Sequence, residues 1–356
     1  MNKRKLLIFQ FLLVSMLLAG CSSAGNAADR KEEANNKLHI VSTIFPIYDW
    51  TDNILGTKSA GSETASNTYS TIDQSLVEHT LLLDGSTDIH SFEPSVKDIV
   101  TISNCDIFIY VGGESEAWVT KALEQAENKN MIVVRLMDCL EEHLKEEESV
   151  NSIKNQEELI EDSDEKDKEA ESSEPEYDEH VWLSVRNASV CVDAIKDALI
   201  QADPDNADIY DGNAYIYKNK LMKLDLEYTD MMSKAGGHTI LVADRFPYRY
   251  LTDDYGIDYF AAFSGCSAES EADFETIKFL IDKMETFDLK AILVNENSDR
   301  KLADTIKKAA GEKNSVYLSN DVLELNSLQS VSLSDGNADY MKLMEQNLNV
   351  LKAALR

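Results

Sequence analysis

Seven apolar residues set the frame for this chain. Tyr210, Ala214, Tyr217, Leu221, Leu224, Tyr228 and Met231 follow one another at steps of four and three, the repeat of one helical face. Pro204 stands in front of the run and Gly236-Gly237 behind it, residues that bound helices. One helix is therefore predicted across 206–235. At ~1.5 Å per residue it would be on the order of 35–45 Å long, enough to cross two packed units. The stripe marks packing rather than ligand contact. With 356 residues in all, the chain is long enough for a sizeable core on each side of that helix.

Both sides carry the same alternation. Before the helix, apolar runs at 38–43, 80–83, 107–111 and 131–136 read as strands, and 94–102, 118–126 and 184–202 as helices. Between the first two strands, Phe45-Pro46-Ile47-Tyr48-Asp49-Trp50 is expected to be a loop and 56–78 an exposed insertion, with His79 at the surface. After the long helix, strands are expected at 239–242 and 291–294 and helices at 274–285, 301–310 and 340–355, with the apolar Val316-Tyr317-Leu318 after the second of these helices. Strands alternating with helices at this spacing favour mainly parallel sheets. The predicted fold is α/β, with two lobes joined by one long helix: an N-terminal lobe over 38–205 and a C-terminal lobe over 236–356.

The N-terminus reads as a processing signal. Lys3-Arg4-Lys5 precedes an apolar run over 6–18, too short to span a membrane comfortably. Leu18-Ala19-Gly20-Cys21 resembles a bacterial lipobox, which makes 1–20 a signal peptide, Cys21 the lipidated first residue and 21–37 a polar tether. Multiple acyl chains on one residue would anchor the protein stably, with its body outside the cytoplasmic membrane. The formal net charge of −31 opposes binding to nucleic acid or anionic lipid. Nearly half of that charge lies in 141–179, where eighteen acidic residues face four lysines. Such a segment reads as a disordered loop, either a weak collector of cations or an entropic bristle. Cys105, Cys139, Cys191 and Cys266 lack paired zinc-cluster spacing. They allow three disulfide connectivities or buried free thiols.

Two histidine motifs carry the chemistry. Tyr177-Asp178-Glu179-His180-Val181-Trp182-Leu183 places an imidazole between an acidic run and an apolar triplet. A lone histidine is more often a surface or core-edge residue. The second motif, Asp88-Ile89-His90-Ser91-Phe92-Glu93-Pro94, changes that, because imidazole is the commonest transition-metal ligand. His90 also follows a strand and precedes a helix, where open α/β sheets place their ligands.

Together the two motifs resemble the metal-binding solute receptors of bacterial ABC importers, the zinc and manganese lipoprotein class. The likeness runs from Leu38 onward. It implies a metal cleft between the lobes, a membrane permease and a cytoplasmic ATPase as partners, and His90 and His180 as the first two ligands. The third ligand of that family, a His or Glu after the strand, falls here on Ala243 or Arg245. Neither binds a cation, so Asp244 between them becomes the candidate, against the plainer role of a turn or salt-bridge residue. Asn326 stands where the family often has an Asp, and water could complete the shell. Two imidazoles and one carboxylate with an open position suit Zn2+; Mn2+ receptors of the family use a second carboxylate. A hydrolytic zinc enzyme is disfavoured by the absence of H-E-x-x-H, with Ser184 at the i+4 position. A surface adhesin is the other alternative class, expected to bind its partner without metal.

Overall fold

The computed structural model describes residues 37–57, 70–85, 88–147, 176–265, 272–334, 336 and 338–356. The signal peptide, Cys21, the tether, Cys266 and most of the acidic segment lie outside the described residues.

The first lobe is built on β1 (Leu38–Ser42), β2 (Val77–Leu81), β3 (Ile107–Tyr110) and β4 (Ile132–Arg135). They form a parallel sheet in the order β2-β1-β3-β4. Alternate side chains leave β1 and β3 on opposite faces. Val41 and Phe108 pack with Ile102 and Val119 from α2 (Val96–Asn104) and α3 (Trp118–Glu124). Ile40, Ile107 and Ile109 join α1 (Phe45–Leu55) and α4 (Val185–Ala202) in the main core. The segment around Phe45 is thus a helix, not a loop. Pro46 occupies its first turn, where no N–H is needed, and Gly56 closes it in the left-handed region at φ 77°.

His79 overturns its surface assignment. On β2, its ring bonds Ser42 Oγ and Asp52 Oδ1, both at 2.8 Å, and stacks on Tyr48 at 4.0 Å. A polar side chain next to a serine-rich run gave no hint of those partners, which come from β1 and α1.

The long helix is α5 (Ala207–Lys234), 28 residues and so ~42 Å at 1.5 Å per residue. Every residue of the predicted stripe is buried. The second lobe repeats the first sheet's order: β5 (Thr239–Phe246), β6 (Asp258–Ser264), β7 (Ala291–Asn295) and β8 (Asp321–Leu325) run parallel as β6-β5-β7-β8. The helices α6 (Arg249–Tyr255), α7 (Phe274–Thr286), α8 (Lys301–Lys313) and α9 (Tyr340–Ala354) complete it. Val316-Tyr317-Leu318 forms part of a 3-10 turn, Ser315–Ser319, and β8 lies just beyond it. Leu318 and Val316 there are exposed, so their apolar character marks no core strand.

One hydrophobic cluster runs through both lobes and α5. Burying each large side chain in it contributes roughly 1.5–3 kcal/mol. Specific bonds fasten the lobes as well. Tyr340 Oη donates to Trp182 O at 2.8 Å, Trp182 Nε1 to Ser327 O at 2.9 Å and Tyr250 Oη to Asp178 O at 2.8 Å. Cys105, Cys139 and Cys191 are free thiols. No helix among the described residues is long and apolar enough to cross a membrane.

Candidate metal centre

The two histidine motifs fold alike. In each, an aspartate two residues ahead accepts the histidine backbone N–H: Asp88 Oδ1 from His90 at 3.0 Å, and Asp178 Oδ1 from His180 at 2.8 Å. Each histidine lies in or directly before a 3-10 turn, Ile89–Ser91 or Val181–Leu183, whose apolar residues anchor it in the core. The shared D-x-H spacing is visible in the sequence and is the signal that could have found these aspartates.

Those turns bring together rings 90 residues apart in the chain. His90 Nε2 stands 3.1 Å from His180 Nε2, with ring centroids 5.1 Å apart. Asp178 Oδ1 lies 3.0 Å from His180 Nδ1. A carboxylate only accepts, so Nδ1 carries the hydrogen and Nε2 keeps its lone pair. Ser115 Oγ holds His90 Nδ1 at 2.7 Å. A hydroxyl serves either tautomer, donating to Nδ1 or, after rotation, accepting from it. When it accepts, both Nε2 lone pairs face the same point. Two zinc–nitrogen bonds of ~2.0–2.1 Å at a tetrahedral angle would set their nitrogens ~3.3 Å apart. The observed spacing is close to that edge.

Behind the rings, Glu179 Oε1 accepts from Ser115 N at 2.8 Å and so positions the serine. Gly113, at φ 85°, is required there, because a Cβ would sit 2.5 Å from Glu179 Cγ. Burial pushes the Glu179 carboxyl above its ordinary range, and it pushes the fully enclosed Glu116 up to about 7. The two imidazoles are shifted in opposite directions. Burial, with the neighbouring His180, depresses His90 to about 4. Burial also opposes protonation of His180, but the charge and hydrogen bond of Asp178 outweigh it and raise its pKa.

The second lobe presses on this pair without adding an imidazole. A Cβ on Gly265, just after β6, would lie 3.2 Å from His180 Cε1. Asp244 lies at an irregularity in the β5–β6 register. Its Oδ1 accepts from Arg245 N at 2.9 Å and its Oδ2 from Asn295 N at 3.4 Å. Arg245 reaches the first lobe, its guanidinium 2.6 Å from Asp88 Oδ2. Asn326 is committed to a turn, its Oδ1 accepting from Leu328 N at 2.8 Å. Among the described residues, no three His, Cys, Asp or Glu side chains converge in a ligating arrangement. The structure therefore joins His90 to His180 and leaves Asp244 bound to its own lobe.

The model of a zinc-uptake family, the periplasmic component A of the complex (ZnuA), matches residues 40–354. The chain belongs to this family. It is 30% identical over 343 residues to the zinc-binding lipoprotein AdcA of Streptococcus pneumoniae, covering 95% of this chain and 60% of that protein. It thus spans about three-fifths of that relative's length. The high-affinity zinc uptake system protein ZnuA of Bacillus subtilis is 28% identical over 355 residues, covering 98% of this chain and 97% of the relative. Among solved structures, the Zn(II)-bound ZnuA-like domain of S. pneumoniae AdcA superposes with a TM-score of 0.63 at 26% identity, covering 90% of this chain and 99% of that one. The expected architecture, two parallel sheets with flanking helices and one long helix, is that of the ZnuA family.

Proposed function

We propose that this chain is an extracytoplasmic receptor that captures Zn2+ in the cleft beside His90 and His180 and delivers it to the permease of an ABC importer. The observation that carries this reading is the 3.1 Å approach of the two Nε2 atoms, one with its lone pair fixed by Asp178. The names of the zinc-binding relatives support the same ion. Asp244 is the lesser partner, since its carboxylate would first have to leave two backbone N–H groups. The ion is cargo, and no nucleophile or general base is needed to hold and release it.

Delivery requires the protein to stay at the membrane. Cys21, following Leu18-Ala19-Gly20, supplies the lipid anchor in this reading, with 38–205 and 236–356 as the two lobes and 206–235 as the helix between them. Release follows a rearrangement of the lobes, which the bonds from Tyr250, Trp182 and Tyr340 resist.

The deciding experiment is calorimetric titration of the folded protein with Zn2+ and with Mn2+. Tight one-to-one uptake of zinc, lost in the His90→Ala/His180→Ala double variant, is the expected result. Tight binding by the double variant overturns the assignment. Elemental analysis of protein purified without chelators separates zinc from the manganese alternative. Replacing Cys21 with serine should release the protein from the membrane fraction.

A further inference from the structure

Two imidazoles leave a four-coordinate dication with two positions to fill. The carboxylates around the pair are mostly engaged elsewhere. Asp178 holds the far nitrogen of His180, Glu179 holds Ser115 N, and Asp244 accepts two backbone N–H groups of the second lobe.

Asp88 differs. Its Oδ1 lies 3.9 Å from His90 Nε2, on the metal-facing side of the ring. The two D-x-H motifs thus present their aspartates to different ring nitrogens: Asp178 to Nδ1, Asp88 toward Nε2. Asp88 Oδ2 is meanwhile paired with Arg245 of the second lobe at 2.6 Å. Arg245 stands one residue past Asp244, near the end of β5. A cation of the protein therefore occupies the carboxylate nearest the site.

We propose that Asp88 is the third protein donor to the dication, and that Arg245 competes with the metal for it. Loading the site then exchanges an ion pair between the lobes for a bond between metal and carboxylate. This rests on the metal-receptor reading above. A rotation of the Asp88 side chain that loosens its bond to His90 N closes the gap, because 3.9 Å exceeds the ~3.3 Å edge of a tetrahedral site by a fraction of an ångström.

Competition titrations with a chromophoric zinc chelator test this on the full chain, in the parent and the Asp88→Asn, Arg245→Ala, double and His180→Ala variants. Asparagine still caps the His90 turn, so Asp88→Asn removes the anionic donor and not the turn. Its zinc affinity should fall by about tenfold or more, the scale of a lost metal-site interaction. Arg245→Ala should raise affinity by about two- to fivefold, the range for an ion pair 35% exposed on its arginine side. In the double variant the gain from losing Arg245 should vanish, since the two residues act on one bond. Zinc-edge anomalous diffraction should place Asp88 oxygen within ~2.0–2.2 Å of the ion.

Parent-like affinity in Asp88→Asn, or weaker binding in Arg245→Ala, overturns the proposal. If His180→Ala loses zinc while Asp88→Asn keeps it, only the Asp88 assignment fails. If the parent binds no zinc, the receptor reading and this proposal fall together.

Discussion

The two lobes share one sheet order and differ in what they bring to the cleft. Each has four parallel strands with the first strand of the lobe second in the order. In open α/β sheets, ligands are placed by the loops past the carboxyl ends of the strands. The first lobe uses those loops to mount two imidazoles, each tied by an aspartate, His180 before a fully buried turn and His90 in one anchored by Ile89. The second lobe offers Asp244, Arg245 and a glycine at the matching ends. One lobe therefore carries the paired imidazoles, and the other sets a positive charge beside them. A repeated topology fixes where a site can be, but not which copy of the repeat builds it.

The comparison breaks first at His180. It is fully buried, and His180→Ala should lower zinc affinity by at least about tenfold while leaving Asp178 without its ring partner, a cost of about 1–3 kcal/mol in stability. Calorimetry and urea denaturation read the two effects. His90→Ala should also cost at least about tenfold in affinity, with a smaller stability change because that ring is partly exposed. Equal binding by either variant and the parent would place the ligands elsewhere.

A pH titration sharpens the difference between the two rings. Metal binding needs both Nε2 atoms unprotonated. His90 is neutral down to about pH 4, so the competing proton is the one on His180, whose pKa is raised by Asp178 against the effect of burial. Zinc affinity should therefore be full above the raised His180 pKa and decline as pH falls through it. Asp178→Asn should move that decline to lower pH and also weaken binding at high pH, because the ring loses its orienting carboxylate. An unmoved profile would remove Asp178 from this role.

Smaller effects follow. Ser115→Ala takes one hydrogen bond from His90, for a loss of about two- to tenfold in affinity, equivalent to about 0.5–1.5 kcal/mol. Asp244→Ala should change affinity less than that. It should instead lower stability by about 0.5–1.5 kcal/mol through the two N–H groups it satisfies. His79→Ala should cost about 1–3 kcal/mol of stability and leave zinc binding unchanged. Its bonds to Ser42 and Asp52 are internal to the first lobe.

How much of this was legible depended on whether the signal was local. The stripe from Tyr210 to Met231 declared α5, since a helix's buried face repeats within its own sequence. The α1 helix stands where a loop is expected because Pro46 fits a first helical turn, in which its missing N–H costs nothing. His79 was misjudged because its partners lie 27 and 37 residues away. Ser115 gave no motif at all. It matters only because the loop after β3 passes beside a ring 25 residues upstream.

By itself the sequence determined the alternation of strands and helices, the long connecting helix and the two D-x-H motifs, because periodicity and capping are written in neighbouring residues. Only the tertiary structure decided that the two imidazoles meet Nε2 to Nε2, that Asp244 turns to its own backbone and that Arg245 crosses to Asp88. Those outcomes depend on how separate loops converge at the sheet ends, a geometry set by packing across the whole molecule and encoded in no single stretch of it.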